Sequence, residues 1–332
     1  MYNLDMAKPL TIVSGIRASG RLHIGNYLGA LKQFVELQNN GEHNCYFFIA
    51  DLHALTTPFK PAELTENTLQ VAADYLAAGI DPKKSTFFIQ SQVMEHAELT
   101  WIFDCLLPLG ELQRMTQFKD KSQQHKENIN AGLLTYPALM AADILMYKPE
   151  AVPVGDDQTQ HVELARVIAR KFNNKFGQTF PEPKTFLRQP LRIMSLTDPT
   201  KKMSKTGDEA LMLDDSPEEI TRKLKKAVTA TEGDAKSPGV GNLLQLLEHF
   251  GKPDEIKHFN SEHKIGTLKY SELKEVLAAD IAERFAEFRE KKKTLLARPE
   301  DLRDILAEGG ERAHKIANQT LTEVKQKIGL LL

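Results

Sequence analysis

Short apolar runs and amphipathic segments alternate along the N-terminal part of the chain. Runs that end in a small or polar residue predict buried strands, and apolar side chains spaced three and four apart predict helices. The strands are expected at Leu10–Ser14, Cys45–Asp51 and Thr86–Gln90, the helices at Ile24–Leu37 and Leu64–Ala78, with a turn over Gly15–Gly20. This alternation predicts an α/β fold built on a doubly wound parallel sheet of the Rossmann-like type.

Helical patterns dominate from Ala97 onward. A short strand is expected at Ala151–Gly155, and Ile193–Leu196 is expected to end the sheet just before a lysine-rich loop. Further helices are predicted at Leu134–Leu145, Gln160–Lys171, Leu243–Phe250, Ser271–Leu296 and Pro299–Leu331. We therefore expect a Rossmann-like catalytic domain with inserted helices at residues 1–205 and an α-helical domain at residues 206–332. A C-terminal helix that returns to the first domain is the alternative.

Composition and charge limit the class of protein. With 332 residues, 41% apolar and 27% charged, the chain has the length and composition of a two-domain globular protein. A net charge of −2 argues against nucleic-acid binding through bulk charge, although it allows a local basic face. The start of the chain lacks a signal-peptide pattern, and no segment has transmembrane length, so we expect a cytoplasmic protein without a membrane partner.

The chain has two cysteines, Cys45 and Cys105, and neither lies in a metal-type spacing. No resident metal is therefore expected. Two isolated thiols in apolar surroundings predict core residues of a reduced protein.

Two distant motifs suggest phosphate chemistry. His23-Ile24-Gly25-Asn26 combines two hydrogen-bond donors with a glycine that permits close approach of a ligand to the backbone. Lys202-Met203-Ser204-Lys205-Thr206 places two ammonium groups three residues apart, which suits a triphosphate. A glycine-containing helix start and a solvated basic loop are the simpler interpretations of each motif alone. The expected position of the lysine loop, after a strand at the carboxyl edge of the sheet, favours ligand binding.

Two further segments carry candidate binding residues. Asp143 lies in the apolar tract Leu133–Asp143, and a buried carboxylate needs a donor, which a substrate N–H group would supply. A surface aspartate, or one paired with arginine, is an equally good interpretation. In Val152–His161, a glycine followed by acidic residues suits ribose hydroxyls and an amino group, but it also suits a capped helix start.

Taken together, these segments resemble a known family. Gly20–Asn26 and Asp198–Thr206 are similar to the HIGH and KMSKS signatures of class I aminoacyl-tRNA synthetases. The ordered set of motifs along nearly the whole chain resembles the bacterial tryptophanyl-tRNA synthetases. The tyrosyl-tRNA synthetases share the fold and both signatures, but they have a glutamine and a different pattern where this chain has Leu139–Asp143, so tryptophan is favoured.

The resemblance implies roles for individual residues. Asp143 would accept the indole N–H, Tyr136 and Gln158 would hold the α-amino end, and His53 belongs to the same site. The walls of the indole pocket would be Met140, Val152, Val154 and Val13. ATP would be bound by Arg17, His23, Gly25, Asn26, Gly155, Asp157, Lys202, Met203, Ser204 and Lys205. Of these, Lys202, Lys205, Ser204 and Asn26 are the expected catalytic residues.

The family resemblance also implies the reaction and its partners. The chain would be an ATP-binding ligase of protein synthesis that activates L-tryptophan with ATP, accompanied by Mg²⁺, and transfers it to tRNA(Trp). It would act as a homodimer, with residues 206–332 binding the anticodon. The chain departs from the family pattern at Arg17-Ala18, where many relatives have Gln-Pro, at Val13, where phenylalanine is frequent, and at Thr206, where KMSKS ends in serine. A small-molecule nucleotidyltransferase and a non-catalytic RNA-binding relative are the alternatives.

Overall fold

A computed structural model describes residues 9–124, 129–186, 192–205, 207–229 and 237–331. The chain divides into two compact units. Unit 1 comprises residues within 1–20, 32–190 and 298–332, and unit 2 comprises residues within 21–31 and 191–297. These compact units do not coincide with the expected division at residues 205 and 206, since the C-terminal segment belongs to unit 1 and the His23 box belongs to unit 2.

Unit 1 is built on a parallel sheet, which confirms the predicted fold class. Its strands are β1 (Thr11–Arg17), β2 (Asn44–Ala50), β3 (Thr86–Ile89), β4 (Ala151–Pro153) and β5 (Lys184–Phe186), in the order β3-β2-β1-β4-β5. The chain winds outward from β1 in one direction through β2 and β3, and in the other through β4 and β5. The crevice between β1 and β4 is therefore the topological switch point, where doubly wound sheets bind ligands.

The helices of the described segments are numbered in chain order. They are α1 (Ile24–Asn26), α2 (Lys32–Asn39), α3 (Pro61–Ala78), α4 (Glu95–Asp104), α5 (Leu109–Gln113), α6 (Thr116–Gln124), α7 (Ala131–Leu145), α8 (Thr159–Phe176), α9 (Pro217–Lys226), α10 (Pro238–Phe250), α11 (Pro253–Ile265), α12 (Tyr270–Arg284), α13 (Ala286–Leu296) and α14 (Pro299–Ile328). A π-helical turn, Tyr27–Leu31, separates α1 from α2. Proline at the first position and glycine at the end limit α3 and α14, as expected from the two residues' backbone preferences.

The core of unit 1 fills both faces of the sheet. On one face, buried apolar side chains of β1, β2, β3 and β4 pack with those of α4, α7, α8 and α14 in one cluster. On the other face, Phe34 of α2 stacks on Phe47 of β2, and Tyr75 of α3 stacks on Phe87 of β3. Helix α14 lies directly against β3, because a Cβ added to Gly309 would stand 1.7 Å from the carbonyl oxygen of Phe87. The strands are apolar on both faces because helices cover both, which is why their sequences read as continuous apolar runs.

Several predictions about the elements need correction. Strand β1 continues through Arg17, so Gly15–Gly20 is not simply a turn. Residues 193–196 belong to unit 2 and do not end the sheet; Met194 forms an isolated antiparallel bridge with Lys202. The last strand of the sheet is β5, which was not predicted. The lysine loop therefore does not follow a strand of the sheet, and that argument for its function was wrong.

Other corrections concern single residues and helices. Cys45 is buried as predicted, but Cys105 is exposed, so only one of the two thiols is a core residue. Helix α11 was not predicted, and the single helix expected over Ser271–Leu296 is divided into α12 and α13. No helix in the described segments is long and apolar enough to cross a membrane.

Candidate active site

The His23 box begins α1 in unit 2, and its side chains cap each other. The Asn26 N–H donates to His23 Nδ1 at 3.3 Å, and the His23 N–H donates to Asn26 Oδ1 at 3.1 Å. The Ile24 N–H donates to the Leu211 carbonyl at 2.9 Å, which fixes the segment before the helix. Because Nδ1 accepts a hydrogen bond, a neutral His23 carries its proton on Nε2. The Nε2–H group is the one that this arrangement offers to an anion.

Gly25 and two lysines define the surroundings of the His23 ring. A Cβ added to Gly25 would lie 2.9 Å from the Cε1 and Nδ1 atoms of His23, so a side chain there would displace the ring. Burial, followed by the positive charges of Lys205 and Lys202, lowers the pKa of His23 to about 4. Within unit 2 the lysine motif thus lowers the pKa of a histidine that is far from it in the sequence, and His23 is neutral at pH 7.

The lysine loop is held by its own backbone and by buried side chains. The Met203 N–H donates to the Ile193 carbonyl at 3.0 Å, and the Met203 side chain is buried. The Ser204 hydroxyl donates to the carboxylate of Glu209. Lys202 is exposed and Lys205 is half-buried, so two ammonium groups stand on an anchored loop. Thr206, the last residue of this motif, lies outside the described segments.

Asp143, on α7 of unit 1, is a buried carboxylate with 1% of its surface exposed. Its Oδ1 accepts hydrogen bonds from Gln90 Nε2 at 2.7 Å and from His96 Nδ1 at 2.6 Å. Its Oδ2 accepts one from His53 Nε2 at 2.8 Å. Burial raises the pKa of Asp143, but the hydrogen bonds that His53 and His96 donate outweigh it, so that the pKa falls to about 2.

This environment corrects two interpretations of Asp143. It is not a surface aspartate, and no arginine in the described part of the chain pairs with it. It also does not depend on a substrate for its donors, since three side chains of the protein already donate to it. Sequence reasoning missed Gln90 and His96. Gln90 stood at the end of a predicted strand, where its side chain direction was open, and nothing in the local pattern connects His96 with Asp143.

Two of the four proposed indole-wall residues lie on the strands that flank the switch point of the sheet. Val13 of β1 and Val152 of β4 are fully buried, while Met140 and Val154 are partly buried and pack against the same core cluster. The Ser14 hydroxyl donates to the Pro153 carbonyl at 2.8 Å and so ties β1 to β4 beside these side chains. The structure thus brings the four predicted wall residues into one apolar cluster.

Tyr136, on α7, has a histidine partner. Its hydroxyl lies 3.0 Å from Nε2 of the fully buried His161, and its ring lies edge-on to His53, with centroids 6.1 Å apart. Burial raises the pKa of Tyr136, so the hydroxyl stays protonated at neutral pH. A fixed hydroxyl of this kind suits a polar substrate group such as an amine.

Arg17 ends β1 and reaches the segment that carries His53. Its Nη2 donates to the Ala54 carbonyl at 3.3 Å and to the Thr57 hydroxyl. Its Nε is buried and has no hydrogen-bond partner among the residues described. Burial lowers the pKa of Arg17, although the guanidinium remains charged at pH 7. A held guanidinium with an unused donor can bind a carboxylate or a phosphate.

The turn after β4 carries the remaining predicted residues of unit 1. Gly155 and Asp157 are exposed, and a Cβ on Gly155 would stand 2.9 Å from Asp157 Oδ1. Gln158 Nε2 donates to Asp157 Oδ2 at 2.9 Å. These side chains lie at the carboxyl end of a strand, as predicted, where they are accessible to a nucleotide.

The fold and the two constellations define a class of protein. A doubly wound sheet with polar groups at its carboxyl edge, together with a cationic loop beside a capped histidine, is typical of a nucleotide-binding enzyme that works on phosphates. Within the described segments, no group of three or more His, Cys, Asp or Glu side chains could hold a metal ion.

Comparison with known proteins identifies the family. The model of the family described as tRNA synthetases class I (W and Y) matches residues 5–297. The chain belongs to this family, which confirms the resemblance predicted from the sequence. It is 49% identical to the tryptophan–tRNA ligase of Caldanaerobacter subterraneus subsp. tengcongensis, over 97% of this chain and 98% of that relative.

Solved structures agree with this assignment. The tryptophanyl-tRNA synthetase of Mycoplasma pneumoniae has a TM-score of 0.85 and 35% identity, covering 97% of this chain and 98% of that one. The tryptophanyl-tRNA synthetase of Campylobacter jejuni, complexed with ADP and tryptophan, has a TM-score of 0.84 and 35% identity, covering 96% of this chain and 99% of that one.

Proposed function

We propose that this chain is a tryptophan–tRNA ligase, which activates L-tryptophan with ATP and transfers it to the 3′ end of tRNA(Trp) for protein synthesis. The observation that carries this proposal is the near-full-length similarity to tryptophan–tRNA ligases, at 49% identity in the relative from Caldanaerobacter. The structure of the Campylobacter relative in complex with ADP and tryptophan supports an adenine nucleotide and tryptophan as the small substrates.

In the first step the carboxylate of tryptophan attacks the α-phosphorus of ATP, forms the adenylate and expels pyrophosphate. The carboxylate is ionised at neutral pH, so this step needs no general base. Catalysis then consists of positioning and of stabilising phosphate charge. Lys202 and Lys205 supply positive charge, Ser204 and Asn26 orient the loop and the box, and the neutral Nε2–H of His23 donates a hydrogen bond. Mg²⁺ would arrive with ATP.

The residues of unit 1 would hold the other groups of the substrates. Gly155 and Asp157 are assigned to the ribose and adenine, and Arg17 to phosphate or carboxylate oxygens. Tyr136 and Gln158 are assigned to the α-amino group of tryptophan. The apolar cluster around Val13 and Val152 suits the indole ring, with Asp143 as the acceptor of its N–H.

In the second step a hydroxyl of the terminal adenosine of tRNA attacks the carbonyl carbon of the adenylate and expels AMP; in this family the hydroxyl is the 2′-OH. Residues 206–332 would provide the surface for the anticodon. We place the reaction in the cytoplasm and in a homodimer. Exposed apolar side chains on and before α4 suit contact with a second copy, since Met94 is 78% exposed and Trp101 is 70% exposed.

The function is tested by ATP–pyrophosphate exchange with each of the twenty amino acids. Only tryptophan should support exchange at a high rate, and charging of tRNA(Trp) should produce an ester. A nucleotidyltransferase would produce no aminoacyl ester. Exchange with a different amino acid, or none with tryptophan, would disprove the proposal.

The residue-level test is Asp143→Asn. Asparagine keeps one oxygen for Gln90 and His96. Asp143→Ala would instead leave three donors unpaired, two of them buried, so that a loss of stability could not be told apart from a loss of tryptophan recognition. Loss of a hydrogen bond to a charged acceptor costs about 1.5–3 kcal/mol, so kcat/KM for tryptophan should fall roughly 10- to 150-fold. The KM for ATP should change little. An unchanged kcat/KM would contradict the role of Asp143.

A further inference from the structure

We propose that His96 and Tyr147 are positioning residues for Asp143. They keep Oδ1 of Asp143 hydrogen-bonded to donors of the protein, so that Oδ2 is the oxygen that accepts the indole N–H. This inference rests on the proposed function and adds to it the residues that fix the orientation of the recognising carboxylate. All of the groups involved lie in unit 1: after the carboxyl ends of β2 and β3, on α4 and α7, and, for Tyr147, just after the end of α7.

Gln90 establishes the first fixed donor. It is fully buried, and its Oε1 accepts a hydrogen bond from the Leu52 N–H at 3.1 Å. Because a backbone N–H can only donate, this bond determines which end of the amide is oxygen. The other end, Nε2, must then point its hydrogens at Asp143 Oδ1, 2.7 Å away. The amide of Gln90 thus cannot turn without losing both bonds.

Tyr147 determines the tautomer of His96. Nε2 of His96 lies 2.8 Å from the Tyr147 hydroxyl, and Nδ1 lies 2.6 Å from Asp143 Oδ1. Burial, helped by the charges of Asp143, Tyr46 and Glu95, raises the pKa of Tyr147 well above its usual value, so the hydroxyl keeps its proton. An ionised carboxylate can only accept, so Nδ1 carries the ring proton that it donates to Asp143, and Nε2 of the neutral ring then accepts the hydroxyl proton of Tyr147.

The two oxygens of Asp143 differ in how many of their lone pairs already accept hydrogen bonds. A carboxylate oxygen has two lone pairs, and Oδ1 uses both, one for Gln90 and one for His96. Among the residues that the structure describes, Oδ2 accepts only from His53, whose side chain is 14% exposed. One lone pair of Oδ2 is therefore left beside the most accessible of the three donors. An indole N–H bound in this pocket would use that lone pair.

Apolar rings enclose the His96–Tyr147 pair. Tyr46 stacks on Tyr147 with centroids 4.7 Å apart, and Phe88 lies 5.8 Å from Tyr147. Phe48 and Phe88 each lie 6.1 Å from His96, whose side chain is fully buried. In such surroundings no bulk water can replace a lost donor, so the hydrogen bonds of Asp143 depend on these side chains.

The experiment replaces His96 by each of the two amide side chains, asparagine and glutamine. An asparagine at this position presents its amide near the location of Nδ1, and a glutamine presents it near Nε2. His96→Asn therefore keeps a donor for Asp143 and loses Tyr147, whereas His96→Gln keeps Tyr147 and loses Asp143. The readout is the ratio of kcat/KM for tryptophan to kcat/KM for benzothienylalanine, in which sulfur replaces the indole N–H, measured by pyrophosphate exchange.

In the wild type, kcat/KM for tryptophan should be at least about ten times that for the sulfur analogue, since only tryptophan offers the hydrogen bond. His96→Gln should lower this ratio about tenfold, mostly through the KM for tryptophan, with the KM for ATP unchanged, while His96→Asn should retain most of it. Tyr147→Phe removes only the hydroxyl that faces Nε2 of His96, so the tautomer of His96 is no longer fixed, and this variant should lower the ratio by a smaller factor. It provides the test if a His96 variant fails to fold.

Two results would overturn the inference. One is a ratio that stays at the wild-type value in both His96→Gln and Tyr147→Phe. The other is an equal loss in His96→Gln and His96→Asn accompanied by a raised KM for ATP, which indicates a merely structural role. A wild-type enzyme that activates tryptophan without preferring it over the sulfur analogue overturns the inference but not the ligase activity. Absence of any tryptophan activation overturns both.

Discussion

Acidification should destabilise the protein through His23. The pKa of this residue in the folded protein is about 4, because of burial and then the charges of Lys205 and Lys202. In the unfolded chain a histidine titrates near its ordinary value of about 6.5. Between these two values the unfolded state binds a proton that the folded state does not bind. The free energy of unfolding therefore decreases as the pH falls through this window.

The size of the effect follows from the two pKa values. Each pH unit between them is worth about 1.4 kcal/mol for one group. The stabilising contribution of the neutral ring is complete above about pH 6.5 and is lost by about pH 4, a total of about 3 kcal/mol. Between pH 7 and pH 5 the loss from His23 alone should be about 2 kcal/mol. His23 is 6% exposed, so solvent screens little of this difference.

Urea denaturation of the full chain at pH 7 and pH 5 measures the effect, with His23→Asn as the matched variant. Asparagine still accepts the Asn26 N–H that His23 Nδ1 accepts, and it has no proton to gain in this range. All other titrating groups contribute to both proteins and cancel in the difference. The wild type should therefore lose about 2 kcal/mol more than the variant between the two pH values. Equal losses in the two proteins would refute the assignment of a low pKa to His23.

Two further changes test the packing and the loop. Gly309→Ala should destabilise the protein by about 2–4 kcal/mol in urea denaturation, since its Cβ would meet the Phe87 carbonyl at 1.7 Å, whereas Gly241→Ala, which meets nothing within 4 Å, should not. Lys205→Ala should lower kcat of pyrophosphate exchange by roughly a hundredfold, with a smaller effect on the KM for ATP. It should also raise the pKa of His23, measured by NMR titration; a lowered or unchanged value would contradict the electrostatic contact.

The sequence predicted those parts of the fold that a continuous apolar run specifies. Strands β1, β2, β3 and β4 are buried on both faces, so their composition alone distinguishes them from their surroundings. Strand β5 lies at the edge of the sheet, is three residues long and begins with a lysine, so its pattern carries no such signal. Conversely, Ile193–Leu196 has the apolar pattern of a strand but is buried in unit 2.

The candidate site was predictable only where a local motif carried it. The mutual cap of His23 and Asn26 depends on residues three apart, and its motif was recognised. The donors to Asp143 lie 90, 53 and 47 residues away in the chain, for His53, Gln90 and His96 respectively. Such contacts depend on the order of the strands and the direction of α4, which periodicity does not specify. His53 was found through the family resemblance, and the other two were not.

The donors to Asp143 change the argument about specificity. If the carboxylate depended on its substrate for a donor, bound phenylalanine would leave a buried charge unpaired. The preference in kcat/KM for tryptophan over phenylalanine could then reach roughly 10⁴–10⁵. Because Gln90, His96 and His53 already donate to it, phenylalanine forgoes one hydrogen bond and leaves no unpaired charge. The hydrogen bond alone should then contribute about 1.5–3 kcal/mol, or roughly 10- to 150-fold. Any larger preference for tryptophan must then come from the fit of the larger indole ring against the proposed apolar walls, of which Val13 is one. Val13→Phe, which enlarges that wall, should therefore change the ratio of kcat/KM for tryptophan to kcat/KM for phenylalanine. It should change the ratio of kcat/KM for tryptophan to that for the sulfur analogue less, since that ratio depends on the N–H group.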